Sequence, residues 1–303
     1  MDISHRSTEH RTLGLLALML ATALLSGCAL ISAPPGGAPL RYRDEIFSGV
    51  ETTTELSYGS APGLNNETQD LRLDLYEPHG DAASARPAVV LVHSGAFSFG
   101  NKDSAELVDL AGALGRRGIV SVSINYRLLA PAGCTGTNGT SAICLTAANA
   151  AQHDAQAAVR WLRANQTRYR IDPDRIAMAG SSAGGVTALL AAYRSDDPGT
   201  SGNPAPSSAI AAAISLSGGV PGAAAYTGPA DAPALLFHGT ADTVIPFGWS
   251  LETAIASLSA GIYVNLQPFT DAGHVPYTQF RDRIVTQTVN FLYQQLHLDT
   301  AAT

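Results

Sequence analysis

Five residues just past the middle of the chain, Gly180-Ser181-Ser182-Ala183-Gly184, carry the pattern G-x-S-x-G. Glycines two positions before and after a serine allow a turn tight enough to lift its hydroxyl clear of the backbone. That frame selects Ser182, since Ser181 would need glycines where Ala179 and Ala183 stand, and Ser181 reads as a small filler. A serine hydroxyl attacks only after a base takes its proton, so an acid and then a histidine should follow in the chain. Three histidines lie downstream. His297 falls at the end of the last helical segment, and His238 closes an apolar run and shapes the turn before Gly239. His274 stands in the Gly-containing loop "TDAGHVPY" and is the candidate base. For the acid, Asp242 in "HGTADTVIPF" directly follows a strand-like run, whereas Asp231 precedes that run and belongs at the far edge of a sheet. Asp271, close to His274, is the alternative and reads first as a turn former.

These side chains need a scaffold that brings loops from distant parts of the chain together. Strand-like and helix-like segments alternate from about residue 68 onward. In "DLRLDLYEP", Leu71, Leu73 and Leu75 repeat at the period of a half-buried strand. "RPAVVLVHSG" is continuously apolar, as a strand buried on both faces requires. Leu107, Leu110 and Leu114 recur at helical spacing in a segment closed by Gly115 and Gly118. Thr146 to Tyr169 reads as one long Ala-rich helix with Val159 and Leu162 turned inward. "DRIAMAG", "SAIAAAISLSG", "APALLFHG" and "IYVNLQPF" supply further strands, and "FRDRIVTQTVNFLYQQL" a final helix. Such alternation predicts an α/β fold with a mostly parallel central sheet and helices on both faces. Ser182 then sits between a strand and a helix whose N-terminus directs free N–H groups at a developing oxyanion.

Taken together, "HSGAFSFGNKD", "INYRL", "AQHDAQAAVRWLRAN", "IDPDRIAMAGSSAGG", "HGTADTVIP" and "DAGH" make the chain resemble the α/β-hydrolase superfamily, in its esterase and lipase branch with an HGGG oxyanion motif. The resemblance runs from about residue 68 to the C-terminus. It implies a carboxylesterase-type serine hydrolase with Ser182, Asp242 and His274 as its triad. It also implies oxyanion donors among the backbone N–H groups of Gly95, Ala96 and Ala183. Ser94 and Ala96 stand where that motif has its first and third glycines, so the second donor stays open between Gly95 and Ala96. His93 is expected to hold its loop by a hydrogen bond, and Asp154 resembles a position that buttresses the serine turn. No large cap is expected, because only "VPGAAAYTGPAD" separates "SLSGG" from "PALLF". An open site suits short acyl groups, with Phe97, Phe99, Phe247 and Trp249 as candidates for lining it or for core packing. A peptidase of the prolyl-oligopeptidase type, a polysaccharide or feruloyl deacylase, and a catalytically dead binding protein are the rival readings.

The beginning of the chain has another character. Arg6 and Arg11 precede the apolar run "LGLLALMLATALL", which leads into "LLSGC". This resembles a bacterial lipoprotein signal over residues 1–27, with Cys28 as the lipidated residue. An ordinary signal peptide or an anchor helix is the alternative. Residues 28–40 are rich in Pro and Gly and read as a tether, leaving 41–303 as the catalytic domain. Export to the cell envelope, with membrane contact through the lipid, is the expected localisation. It agrees with a disulfide between Cys134 and Cys144, closing a Gly/Thr/Asn-rich loop. A net charge of −7 argues against nucleic acid as the partner. There is no HExxH, CxxC, P-loop or dinucleotide turn, so neither metal nor cofactor is expected, and the expected partner is a small ester.

Overall fold

A computed structural model describes residues 29–300; the stretch 1–27 read above as a lipoprotein signal, and Cys28, lie outside the described residues. Eight strands form one sheet: β1 (Val50–Pro62), β2 (Thr68–Pro78), β3 (Arg86–Val92), β4 (Val120–Ile124), β5 (Ile171–Ser181), β6 (Ala212–Leu216), β7 (Ala234–Gly239) and β8 (Val264–Phe269). Their order is β1-β2-β4-β3-β5-β6-β7-β8, with β2 antiparallel to both β1 and β4 and every other pair parallel. The helices are α1 (Ala105–Gly115), α2 (Ala142–Ala164), the short α3 (Gln166–Tyr169), α4 (Ala183–Tyr193), α5 (Phe247–Ser259) and α6 (Tyr277–Gln295).

The apolar pattern explains the layering. In β3, Val90 and Val92 face one core layer while Val89 and Leu91 face the other, so every residue of this central strand is buried. The first layer is filled from α2, α4 and α5, and the second by Leu107, Leu110 and Leu114 of α1 with Ile284, Val285 and Val289 of α6. Ala147, Ala151, Ala155 and Ala158 give α2 a stripe of small side chains, which lets it lie close to its neighbours. The helix starts at Ala142, earlier than the Thr146 expected from periodicity, and Cys144 therefore sits in its first turn. Its sulfur is bonded to Cys134, with 5.6 Å between the two Cα atoms.

Between β6 and β7 there is one 3-10 turn, Ala223–Ala225, and no inserted cap. The stretch 28–40 differs from a free tether over its described residues. Ile31 is buried, its N–H donates to Gln287 Oε1 (2.6 Å), and its carbonyl accepts from Asn290 Nδ2 (2.9 Å). The Ala29 carbonyl accepts from Asn265 and Gln267 of β8. Side-chain amides replace the solvent that this backbone would otherwise bond, so the segment is laid against β8 and α6.

Candidate active site

All the loops singled out by their chemistry leave the C-terminal ends of parallel strands, where an open α/β sheet forms a crevice. Ser182 sits between β5 and α4 with φ of 54° and ψ of −118°, a conformation that few non-glycine residues adopt. Its neighbours explain why it can. A Cβ added to Gly180 would lie 2.3 Å from the Gly184 carbonyl oxygen, and one added to Gly184 would lie 2.0 Å from the carbonyl oxygen of Val92. Both flanks of the turn press on backbone, so only glycine fits either place. The Ser182 N–H donates to the Leu216 carbonyl on β6 (2.8 Å), which ties the turn to the sheet.

His274, in the loop after β8, places Nε2 2.8 Å from Ser182 Oγ and Nδ1 2.7 Å from Asp242 Oδ2. Asp242, in the loop after β7, has no acceptor left idle. Its Oδ1 accepts from the N–H groups of Val244 (2.8 Å) and Ile245 (3.0 Å), and Oδ2 also meets Nε2 of His238 at 3.1 Å. Burial opposes the negative charge of Asp242, but hydrogen bonds from His238, His274 and Val244 outweigh it and hold the carboxyl well below the usual range. The group is therefore ionised at neutral pH and orients the His274 ring, leaving Nε2 free to accept the serine proton.

His238 does more than shape a turn. Fully buried, it contacts Ser250 Oγ through Nδ1 (2.6 Å) and both the Ile245 carbonyl and Asp242 through Nε2. The spacing His238-x-x-x-Asp242 was the only signal for this pairing, and it becomes a contact only once the loop folds back. Asp271 adopts a left-handed turn (φ 56°) and bonds Thr240 through its backbone, Asp231 accepts from Gly228 N–H, and His297 is exposed at the C-terminal end of α6.

The loop after β3 faces Ser182. A Cβ at Gly95 would lie 1.9 Å from the Phe99 carbonyl oxygen, so this position of the loop requires glycine, while Ala96 and Phe97 take left-handed conformations. His93 Nδ1 donates to the Ser94 carbonyl (2.6 Å) and its ring stacks on Tyr126 at 4.2 Å. Burial pushes His93 down to about 4, so it stays neutral and structural. Asp154, also buried, accepts from the N–H and guanidinium of Arg127, bracing the segment after β4.

A cavity of about 720 Å³ opens over Ser182 and His274. Besides Gly95, Ala96 and Phe99 it is lined by Glu106 and Asp109 of α1 and by Tyr277 and Arg281 of α6. Arg281 grips Asp109 through Nε (2.7 Å) and Nη2 (2.9 Å), and Tyr277 donates to the same carboxylate. Ser181 donates to Glu106 (3.2 Å) and is more than a filler. No residue of this charged wall was marked by motif; it is assembled by two helices far apart in sequence. Phe97 and Trp249 line a second, smaller cavity, and Phe247 stands edge-on to His238. Among the described residues no cluster of His, Cys, Asp or Glu could hold a metal ion.

The strand order and the serine turn after β5 define an α/β-hydrolase fold carrying a Ser182–His274–Asp242 relay. The BD-FAE family profile matches residues 73–219. Over 115 residues the chain is 36% identical to Carboxylesterase NlhH of Mycobacterium tuberculosis, covering 36% of this chain and 30% of that protein. Over 151 residues it is 32% identical to Lipase 1 of Geotrichum candidum, covering 46% and 25%. The chain thus spans less than a third of the length of these two curated relatives. Among solved structures, a truncated carbohydrate esterase from gut microbiota superposes with a TM-score of 0.67 at 21% identity, covering 84% of this chain and 98% of that one. Thermogutta terrifontis esterase 2 phosphoramylated by tabun superposes at 0.65 with 24% identity, covering 84% and 97%. These structural likenesses show the fold.

Proposed function

We propose that this protein is a serine hydrolase that cleaves carboxylic esters, with short acyl groups preferred, through an acyl-enzyme on Ser182. The observation that carries the reading is the continuous relay from Ser182 Oγ through His274 to an ionised Asp242, beneath an open cavity. His274 Nε2 takes the hydroxyl proton as Oγ bonds to the ester carbonyl carbon. The carbonyl oxygen becomes an oxyanion held by the N–H of Ala183 and by a second N–H from the loop after β3, that of Gly95 or Ala96. Collapse breaks the carbon–alkoxy bond, and the proton on His274 passes to the departing alcohol. Water then repeats the cycle, its proton going to His274 and returning to Ser182 as the acid leaves.

The names of the relatives and structural neighbours agree with ester hydrolysis, and one neighbour is a carbohydrate esterase. The test is hydrolysis of p-nitrophenyl esters from acetate to palmitate by the chain from residue 29 onward, beside Ser182→Ala. Activity on the short esters that disappears in the variant supports the reading, and a single paraoxon adduct on the Ser182 peptide would locate the nucleophile. Activity retained in Ser182→Ala overturns it. An inert wild type turns the question to peptide substrates.

We also propose that the protein is anchored to the cell envelope by a lipid on Cys28. Labelled palmitate should enter the full chain and be absent from Cys28→Ser.

A further inference from the structure

Of the two carboxylates in the wall of the open cavity, Asp109 is gripped by Arg281, whereas Glu106 meets only hydroxyls among the described residues. Its Oε1 accepts from Ser181 Oγ (3.2 Å) and, at the outer limit of hydrogen-bond length, from Ser94 Oγ (3.5 Å). Ser181 ends β5, and Ser94 lies just beyond β3, its parallel neighbour in the sheet. The first turn of α1 carries Glu106 to the place where these two strand ends open. Burial of Leu107 and Leu110 fixes the rotation of that helix. A half-buried carboxylate without a cation costs free energy to desolvate, and the positive end of α1 offsets part of that cost.

We infer that Glu106 is a positioning residue for the oxyanion site: its carboxylate fastens the loop after β3 to the serine turn and so sets the spacing of the N–H donors. This assignment rests on the ester-hydrolase reading above. Ser94 directly precedes Gly95, and Ser181 directly precedes Ser182, whose peptide bond carries the Ala183 N–H. The Ser94 carbonyl and the Gly95 N–H belong to one planar peptide. His93 Nδ1 holds that carbonyl (2.6 Å), while Glu106 holds the side chain of the same residue. On the serine turn, the Ser182 N–H is bonded to the Leu216 carbonyl (2.8 Å) and the Ser181 hydroxyl to Glu106. Each donor-bearing segment is thus tied to its own surroundings, and both are tied to one oxygen atom. Donors stabilise an oxyanion most when their spacing is set before the charge forms, because no energy then goes into moving them.

The loop after β3 needs such a tie. Ala96 (φ 53°) and Phe97 (φ 59°) both take left-handed conformations, which cost residues with a Cβ free energy and persist only where the surroundings enforce them. Ser94 then has a use of its own. A glycine at this position, as in the HGGG motif, would have no hydroxyl to reach α1. Serine at 94 and serine at 181 together supply the donors that a single acceptor on α1 can join.

The experiment measures kcat and KM for p-nitrophenyl acetate, and the Ki of a butyl trifluoromethyl ketone, in the wild type, Glu106→Ala and Glu106→Gln. With the ketone, Ser182 Oγ bonds to the carbonyl carbon, its proton passes to His274, and the carbonyl oxygen becomes the oxyanion. Ki therefore reports on the donors directly. In Glu106→Ala, kcat should fall by about ten- to a hundredfold, Ki should rise by a similar factor, and KM should stay within about twofold. Glu106→Gln keeps an acceptor oxygen and should hold kcat within about threefold of the wild type. Wild-type kcat in Glu106→Ala overturns the assignment, and so does a fall in kcat that leaves Ki unchanged. Glu106→Gln falling as far as Glu106→Ala also overturns it, since the charge rather than the tie would then carry the effect. Should Glu106→Ala fail to fold, the double variant Ser94→Ala with Ser181→Ala removes both donors and keeps the carboxylate. The same fall in its kcat supports the assignment, and a wild-type kcat overturns it. A wild type inert to the ester and to the ketone overturns the ester-hydrolase reading itself, and this assignment falls with it.

Discussion

The imidazole of His238 stands 3.1 Å from Oδ2 of Asp242, with no solvent exposure on either side chain. The same oxygen receives His274 at 2.7 Å, so the carboxylate is shared by two rings, one reaching Ser182 and one set into the core. His238 is therefore a positioning residue. In His238→Phe, kcat should fall by about ten- to a hundredfold with KM little changed, the loss of one hydrogen bond to a charged group. His238→Gln, which keeps a donor, should recover part of the loss. Equal kcat values for wild type and His238→Phe would leave the ring a packing role only.

Asp242 itself should matter more. In Asp242→Asn the shape is kept, but the negative charge that orients His274 is gone. A fall in kcat of about 10⁴-fold is expected by analogy with other serine triads. Far-UV circular dichroism and thermal unfolding of the variant would check that its fold is intact.

The turn at Ser182 has no slack. Gly184→Ala would place a methyl 2.0 Å from a backbone oxygen of β3, a central strand that cannot shift without moving the sheet. Destabilisation of about 3 kcal/mol or more is expected, at the upper end of overpacking. Denaturant unfolding measures it, and a variant as stable as the wild type would contradict the close approach.

His93 should make stability depend on pH. Its ring is pushed from 6.5 to about 4 by burial, its first cause. Above pH 6.5 both folded and unfolded chains carry it neutral, and the full stability is present. Between 6.5 and about 4 only the unfolded chain takes up the proton, so stability falls with pH, by about 3 kcal/mol in all. The slope of unfolding free energy against pH in this window should be shallower in His93→Phe than in the wild type.

The segment after Cys28 should contribute to stability. A chain beginning at residue 41 lacks buried Ile31 and its amide partners, and should unfold about 2 kcal/mol more easily than one beginning at residue 29. Ile31→Ser should give most of that loss if the side chain, rather than the backbone bonds, carries it. Identical melting of the two chains would mean that the docked segment is only an ornament of the surface.

Much of this was legible from sequence because it is decided by near neighbours. A central strand must be apolar on both faces, so "AVVLV" announces β3; a serine turn crossed by backbone must have glycines at 180 and 184. The order Ser182, Asp242, His274 follows from the order in which parallel strands present their C-terminal ends. What sequence could not show depends on side chains meeting across the fold. Sequence marked His238 as the end of a strand, and only the closing of its loop turns the ring onto Asp242. Arg281 and Asp109 are 172 positions apart, yet they join in the wall of the open cavity because α1 and α6 pack on one face of the sheet. Pro and Gly made residues 28–40 look like a tether, while the amides that hold Ala29 and Ile31 come from β8 and α6 near the other end of the chain. Composition and local pattern report what a residue's own backbone and burial demand. The partners of a polar side chain are chosen by packing, and only the tertiary structure makes that choice.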